Sequence, residues 1–184
     1  LRTMPDAPDA HTPSRRFDAV ICDVDGCLGP ERSEPLNAEL LACVAQYNRA
    51  AHDLADRPVV TLCTGRPHGF AEAICRLIAN TSLPMICEMG VWLWWPTGNR
   101  FERDPAITPA HLHALHELTG WIEAEFGPKG VLQQPGKTCS TSLYHADTEY
   151  LKSLMPTLAD KIAAAHWPFR VTDTSLWINL DLEH

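Results

Sequence analysis

The stretch FDAVICDVDGCLG, residues 17–29, decides the fold class of this chain. It begins with an apolar run typical of a buried strand and leads into two aspartates one residue apart, Asp23 and Asp25. Gly26 follows at once and permits a tight turn. Because neighbouring carboxylates repel each other, the pattern favours either an exposed Asp-rich turn or a site where Mg²⁺ neutralises both charges.

Two further apolar stretches extend the pattern to a parallel sheet. Residues 58–63 (PVVTLC) and 84–87 (PMIC) are predicted to be the second and third strands. Helices are predicted over about 37–53, capped by Asn37, and after Pro67. Their apolar faces are expected at Leu40, Leu41, Val44 and Tyr47 in the first helix and at Phe70, Ile74, Leu77 and Ile78 in the second. This strand–helix alternation predicts a doubly wound parallel sheet covered on both faces.

The pattern changes after the third strand. Residues 91–103 alternate around a Pro-Thr-Gly-Asn turn, which predicts a β-hairpin. A helix should begin at Thr108 and Pro109 and end near Phe126. The remaining elements are two strands near 130–134 and 138–145, a helical region over 147–165 that is interrupted at Pro156, and two strands over 168–172 and 175–181. The order αββαββ predicts a second, separate layer.

The composition excludes several classes of partner. The chain of 184 residues has a formal net charge of -8 and no run rich in Lys or Arg, so nucleic acid and anionic membranes are not expected partners. No apolar run approaches the roughly 20 residues that span a bilayer. Residues 1–16 lack the apolar segment of a secretory signal and are predicted to be a mobile tail.

The cysteines indicate a reducing compartment. There are seven, an odd number, and none forms a CxxC pair. Most lie within apolar strand or helix patterns, so buried free thiols in the cytoplasm are favoured over disulfides or a metal cluster.

The second and third strands are each followed by residues that could bind a ligand. After the second, Thr64, Gly65 and Arg66 precede a helix, where a hydroxyl and backbone N–H groups can bind a phosphoryl oxygen. The alternative is a plain turn in which Thr64 caps that helix. After the third, Glu88 could orient a ligand or a neighbouring loop, or could be a solvated turn acid.

A later stretch rich in hydroxyls could reach an anionic substrate. GKTCSTS, residues 136–142, carries Lys137 and Ser140 but lacks the spacing of a P-loop. We expect it to be a strand of the second layer, with Lys137 or Ser140 directed at the substrate.

These motifs together resemble the haloacid dehalogenase superfamily of phosphotransferases. ICDVDGCL and TLCTGRP resemble its first and second motifs, and ICEMG is similar to a turn of its sugar-phosphatase branch. The αββαββ block resembles the cap of that branch, which includes mannosyl-3-phosphoglycerate phosphatases, sucrose phosphatases and phosphomannomutases. The resemblance implies an α/β fold: a Rossmann-like core over 17–107, with its first three strands present, and an inserted α+β cap over 108–184.

The resemblance also implies roles for individual residues. Asp23 would be the nucleophile that forms an aspartyl-phosphate and Asp25 the general acid/base, with both at the Mg²⁺ site. Thr64, Gly65 and Arg66 would bind the phosphoryl group. The implied activity is Mg²⁺-dependent hydrolysis of a small phosphorylated metabolite, a sugar phosphate. The alternative is a phosphomutase, which returns the phosphoryl group to the sugar.

Two later motifs of the family, a Lys and a Gly-Asp pair that supplies a further Mg²⁺ ligand, have no match here. The sequence is therefore interpreted as an incomplete record of a longer protein, a truncation, or a chain whose core a second polypeptide completes. A non-catalytic subunit is the third functional hypothesis. Because an unfilled sheet edge invites association, the expected partners are the small phosphorylated substrate and either a second copy or a completing segment.

Overall fold

The structure, a computed structural model, describes residues 17–31 and 34–183. The predicted tail, residues 1–16, lies outside the described residues. Within the described ranges no helix is both long and apolar enough to cross a membrane.

The first part of the chain, here called the core, is built on parallel strands. Strands β1 (Ala19–Cys22) and β2 (Val59–Leu62) pair in parallel and are connected by helix α1 (Ala38–Leu54). Helix α2 (His68–Leu77) leads from β2 to β3 (Met85–Cys87). A parallel bridge between Cys63 and Ile86 joins β3 to the end of β2. The predicted α/β class with a parallel sheet is therefore confirmed.

Strand β1 is more exposed than its apolar sequence predicts. Val20 is 43% and Ile21 60% exposed, whereas a doubly wound sheet buries such side chains on both faces. The expectation of a buried first strand is wrong for the described residues, because there β1 pairs with β2 alone.

In both core helices, some of the residues that are buried differ from those predicted. In α1, Asn37 is the N-cap as expected, but Leu40 is exposed and the buried residues are Leu41, Ala45, Asn48 and Ala51. Asn48 turns this face of α1 inward, because its side chain donates to the carbonyls of Val60 and Ile78 and accepts the Val60 N–H at 2.8 Å. In α2 and its end, Ala71, Ile74, Cys75 and Ile78 are buried, while the predicted Phe70 and Leu77 are exposed.

The predicted hairpin is present, and its first strand also pairs with β3. Strands β4 (Trp92–Trp95) and β5 (Arg100–Arg103) form it, and β4 also pairs antiparallel with β3. The third strand therefore pairs antiparallel in the sheet β3-β4-β5 and also keeps its predicted parallel link to β2 through the Cys63–Ile86 bridge.

The rest of the described chain, here called the cap, has the predicted αββαββ order. Helix α3 (Pro109–Phe126) is capped by Thr108, as expected. The helical region breaks next to Pro156 into two helices. The other elements are β6 (Leu132–Gln133), β7 (Thr141–Tyr144), α4 (Thr148–Ser153), α5 (Met155–Ala165), β8 (Phe169–Asp173) and β9 (Trp177–Leu182).

The cap sheet has one apolar and one polar face. Its strand order is β6-β7-β9-β8, all antiparallel. Leu143 lies opposite Ile178, and both are buried in a cluster with residues of α3 and α5. The neighbouring pair, Ser142 and Asn179, points to the other face because side chains alternate along a strand. The cap loop, residues 134–140, joins β6 to β7.

The seven cysteines are all free, as the sequence predicts, but the expectation that most are buried is wrong, since only Cys75, Cys87 and Cys139 are. Cys27 and Cys43 are exposed, whereas burial raises the pKa of Cys75 to about 11 and that of Cys87 to about 12. Because the thiolate is the reactive form, we expect iodoacetamide at neutral pH to alkylate Cys27 and Cys43 and to spare Cys75 and Cys87 until urea unfolds the chain. Peptide mass spectrometry measures this, and alkylation of Cys87 in the native protein would contradict the described packing.

Candidate active site

In the loop after β1, the two aspartates lie on either side of a buried residue, Val24. Val24 is buried, and its carbonyl accepts the N–H groups of Cys27, Leu28 and Gly29 at 3.2, 3.0 and 2.8 Å. Gly26 has a φ of 75°, in the left-handed region that glycine enters without steric cost. The chain therefore coils tightly directly after the aspartates, which keeps both carboxylates beside the end of the strand.

The two carboxylates have different partners. Asp23 is exposed, and its Oδ1 accepts the N–H of Val24 at 2.6 Å. Asp25 is half-buried, and both of its oxygens bind Arg66, through Nε at 2.8 Å and Nη2 at 2.6 Å. This bidentate pair raises the pKa of Arg66. Arg66 therefore fixes the orientation of Asp25, while one oxygen of Asp23 has no N–H donor in the loop.

The loop after β2 lies beside the aspartates. Thr64 is buried, its N–H donates to the carbonyl of Ile86, and its Oγ1 accepts the N–H of Arg66 at 3.2 Å. The N-cap of α2 is Pro67, not Thr64. The hydroxyl of Thr64 therefore stabilises the turn that directs Arg66 toward Asp25.

A chain of polar side chains faces this loop from the cap. Lys137 Nζ donates to Ser142 Oγ at 2.6 Å, and Ser142 Oγ donates to Asn179 Oδ1 at 2.6 Å. Burial lowers the pKa of Lys137, although the nearby charges of Asp181 and Glu88 oppose that shift. The cap therefore places one partly desolvated cation above the core.

Both sides meet at a cavity of about 260 Å³. Its wall consists of Asp23, Asp25, Glu31, Gly65, Arg66 and Met89 from the core and Gln134, Lys137, Ser142, Thr174, Trp177 and Asn179 from the cap. A groove of about 840 Å³ adjoins it and shares Glu31, Arg66, Gln134 and Trp177 with it. The cavity can therefore receive a small anionic group, and the groove leaves space for the remainder of a ligand.

Most of the predicted site residues come together in this cavity, and three do not line it. The predicted residues that line the cavity are Asp23, Asp25, Gly65, Arg66 and Lys137. Those that do not line it are Thr64, Glu88 and Ser140.

Two of the predicted substrate residues are deeply buried. Glu88 is 0% exposed, so it is not a solvated turn acid, and its carboxylate accepts the N–H groups of Thr138 and Cys139 at 2.8 and 3.0 Å. Ser140 borders a separate recess beside α3, and its Oγ has no hydrogen-bond partner among the described residues.

Sequence reasoning missed several residues of the cavity wall, which are Glu31, Met89, Gln134, Ser142, Thr174, Trp177 and Asn179. A signal for some of them was present: Trp177, Asn179 and Asp181 alternate with apolar residues in β9, so they share the face opposite the cap's hydrophobic cluster. Loop residues such as Gln134 carry no comparable pattern.

The donor set at the cavity is that of a hard cation. Asp23 supplies a carboxylate oxygen, which Mg²⁺ prefers, whereas both carboxylate oxygens of Asp25 bind Arg66. Within residues 17–31 and 34–183, no cluster of three or more His, Cys, Asp or Glu side chains is placed to hold a metal ion. The Asp23 carboxylate therefore fits one position of a magnesium coordination sphere.

Comparison with known proteins gives a match at the level of structure alone. The chain matches no protein-family model and no curated protein. A trehalose-6-phosphate phosphatase C-terminal domain from C. albicans has a TM-score of 0.70 at 13% identity, covering 93% of this chain and 59% of that one. A sucrose-phosphatase from Synechocystis, solved with sucrose and phosphate, has a TM-score of 0.55 at 13% identity, with 90% and 64% covered.

A haloacid dehalogenase-like hydrolase from Bacteroides thetaiotaomicron is similar in the same way. Its TM-score is 0.58 at 9% identity, and the match covers 91% of this chain and 72% of the other. The present chain spans about three fifths of the length of two trehalose-6-phosphate phosphatases that it matches. With its parallel-stranded core and αββαββ cap, the chain has the fold of the haloacid dehalogenase-like hydrolases, as its two sequence motifs predict.

Proposed function

We propose that this protein hydrolyses a phosphomonoester of a small metabolite, a sugar phosphate, in a Mg²⁺-dependent reaction. The observation that carries the proposal is the cavity in which Asp23 and the Arg66-bound Asp25 face Lys137. Trehalose-6-phosphate phosphatase and sucrose-phosphatase, whose folds this chain shares, support a sugar phosphate as the substrate class.

In the proposed reaction Asp23 is the nucleophile. Its carboxylate attacks phosphorus while the bond from phosphorus to the leaving oxygen breaks. Asp25 enters this step protonated, and the leaving oxygen takes that proton while Arg66 orients the carboxyl group. Asp25 then takes a proton from the water that hydrolyses the aspartyl-phosphate, so the enzyme returns to its starting state. Gly65, with Thr64 behind it, binds the transferring phosphoryl group.

The carboxylate of Asp23 and the backbone carbonyl of Asp25 would hold Mg²⁺. The ion supplies positive charge that stabilises the transferring phosphoryl group. In the chain itself, Val24 orients Asp23 through its N–H, and Arg66 keeps Asp25 from turning away.

We assign recognition of the rest of the substrate to the cap. Lys137 would donate hydrogen bonds to hydroxyls of the sugar, with Ser142 and Asn179 aligned behind it. Trp177 lies at the junction of cavity and groove, where its ring could cover a sugar. Ser140, a predicted substrate residue, would act from the recess on the other side of Lys137.

The full native protein tests this function directly. It would be incubated with a panel of sugar phosphates, with Mg²⁺ or with EDTA, and release of inorganic phosphate would be measured. Mg²⁺-dependent release supports the hydrolase. Conversion of a hexose 1-phosphate to its 6-phosphate would identify the phosphomutase instead, and no turnover of any phosphomonoester would refute both.

We also propose a partner and a compartment. The exposed side of β1 suits a further strand, from a completing segment or from a second copy of the chain. The seven free thiols are those of a protein kept in the reducing cytoplasm.

The lowered pKa of Lys137 predicts a pH dependence of substrate binding. Below that pKa Lys137 is charged and attracts the substrate; above it the charge is lost. We therefore expect KM for the sugar phosphate to rise with pH at a lower pH than the ordinary lysine value of about 10.4. The same shift makes folding stability increase with pH over that interval, since the unfolded chain then binds the additional proton. Lys137→Met should abolish the rise in KM, and a rise that persists in this variant would contradict the assignment.

A further inference from the structure

Glu88 occupies an unusual turn between β3 and the hairpin. Glu88 and Met89 both have positive φ, 48° and 57°, in the left-handed region that residues other than glycine rarely enter. Such conformations persist where the surrounding contacts impose them. The carboxylate of Glu88 is moreover fully buried. Both features require partners elsewhere in the fold.

Those partners lie in the cap loop. Glu88 Oε2 accepts the N–H of Thr138 at 2.8 Å and that of Cys139 at 3.0 Å. Thr138 Oγ1 donates to Glu88 Oε1 at 3.2 Å and accepts the indole N–H of Trp92 at 2.9 Å. Two residues of the core thus bind two residues of the cap loop, and Lys137 is the next residue along the chain.

The same turn contacts the catalytic side of the core. The N–H of Glu88 donates to the carbonyl of Arg66 at 3.2 Å. Met89 Sδ lies 3.0 Å from the position that a Cβ on Gly65 would occupy. Glu88 therefore has the loop that orients Asp25 on one side and the loop that carries Lys137 on the other.

We propose that Glu88 is a positioning residue that sets the place of Lys137 above Asp23 and Asp25. Its carboxylate suits this role because it accepts two backbone N–H groups at once, in charge-assisted hydrogen bonds. It does not contact the substrate, since its carboxylate is enclosed by the cap loop. The inference rests on the proposed function, and it assigns to Glu88 the alignment of the two halves of that site.

The decisive comparison uses two substrates. Glu88→Gln removes the negative charge that strengthens the hydrogen bonds from the Thr138 and Cys139 N–H groups, and it replaces Oε1, which accepts from the Thr138 hydroxyl, by an NH₂ group that cannot accept. With a sugar phosphate that reaches Lys137, we expect kcat/KM to fall on the order of 10- to 100-fold, mainly through KM. With acetyl phosphate, which has no sugar to accept hydrogen bonds from Lys137, turnover should stay within about threefold of the parent. A role in folding alone would lower both rates together.

A pair of substitutions at Thr138 tests the same contact with less risk to folding. Thr138→Val removes the hydroxyl that joins Glu88 to Trp92, whereas Thr138→Ser keeps it. We expect Thr138→Val to lower kcat/KM for the sugar phosphate by a similar factor and to leave turnover of acetyl phosphate unchanged. Thr138→Ser should have the KM of the parent. Glu102→Gln is the matched control, because Glu102 lies on the hairpin outside the cavity. It should change the turnover of neither substrate.

A readout independent of activity separates this inference from the proposed function. The indole N–H of Trp92 gives its own NMR resonance, which Trp92→Phe would assign. We expect it to shift in Glu88→Gln and Thr138→Val and to stay in place in Glu102→Gln. If the parent hydrolyses no phosphate ester, the proposed function fails while this resonance still tests the contact. The role of Glu88 would be overturned if the Trp92 resonance does not shift in Glu88→Gln and Thr138→Val. It would also be overturned if these variants lower the turnover of both substrates equally.

Discussion

Asp23→Asn should lower the turnover of a sugar phosphate by at least about a thousandfold, the scale seen when a nucleophile is removed. The asparagine amide is nearly the same size but is a very poor nucleophile at phosphorus. Folding should be preserved, because the side-chain oxygen can still accept the N–H of Val24. The measurement is kcat with the full native protein, accompanied by thermal unfolding of both forms.

The control for this result is Asp160→Asn. Asp160 is exposed on α5 and does not line the cavity, so its substitution removes the same charge without touching the site. Equal turnover by Asp23→Asn and the parent would refute the proposed nucleophile. A phosphorylated Asp23, trapped by acid quenching and located by peptide mass spectrometry, would be positive support.

Arg66→Lys should have the second largest effect, a loss in kcat on the order of 10- to 100-fold, which is less than the roughly 100- to 10,000-fold of general acid–base catalysis because the acid is misoriented and not removed. Lysine keeps the charge, but it cannot bind both oxygens of Asp25 with the planar fork that arginine provides. Asp25 would then rotate away from the leaving oxygen. The loss should be larger for an alkyl phosphate than for p-nitrophenyl phosphate, because a good leaving group needs less help from an acid.

Arg57→Lys is a closely matched control for that variant. Arg57 also binds a carboxylate through two nitrogens, at 2.7 and 3.0 Å to Asp56, but on the surface away from the cavity. Such exposed pairs contribute little to stability, so activity and unfolding should remain those of the parent. If Arg66→Lys lowers the rates of both substrates equally, orientation of the acid is not its role.

Features that depend on neighbouring residues in the chain were predictable from the sequence. The alternation of helices and strands, the hairpin around Pro-Thr-Gly-Asn, the Asn37 and Thr108 caps and the break beside Pro156 all occur where the patterns indicate. Periodicity and capping are local, so a window of a few residues contains the information.

Side-chain orientation within those elements was less predictable. The face of α1 is set by Asn48, a polar residue that binds two carbonyls from other elements. The apolar residues of β1 are exposed because burial depends on which neighbours a strand has, not on its own composition.

The sequence by itself determined the element order and the two loops that carry Asp23, Asp25 and Arg66. The tertiary structure alone decided that Arg66 binds Asp25 across 41 positions and that Glu88 binds Thr138 across 50. It also brought Lys137 from the cap to the wall of the cavity. These contacts join residues far apart in the chain, and no local pattern encodes which distant groups will satisfy a buried charge or a backbone N–H.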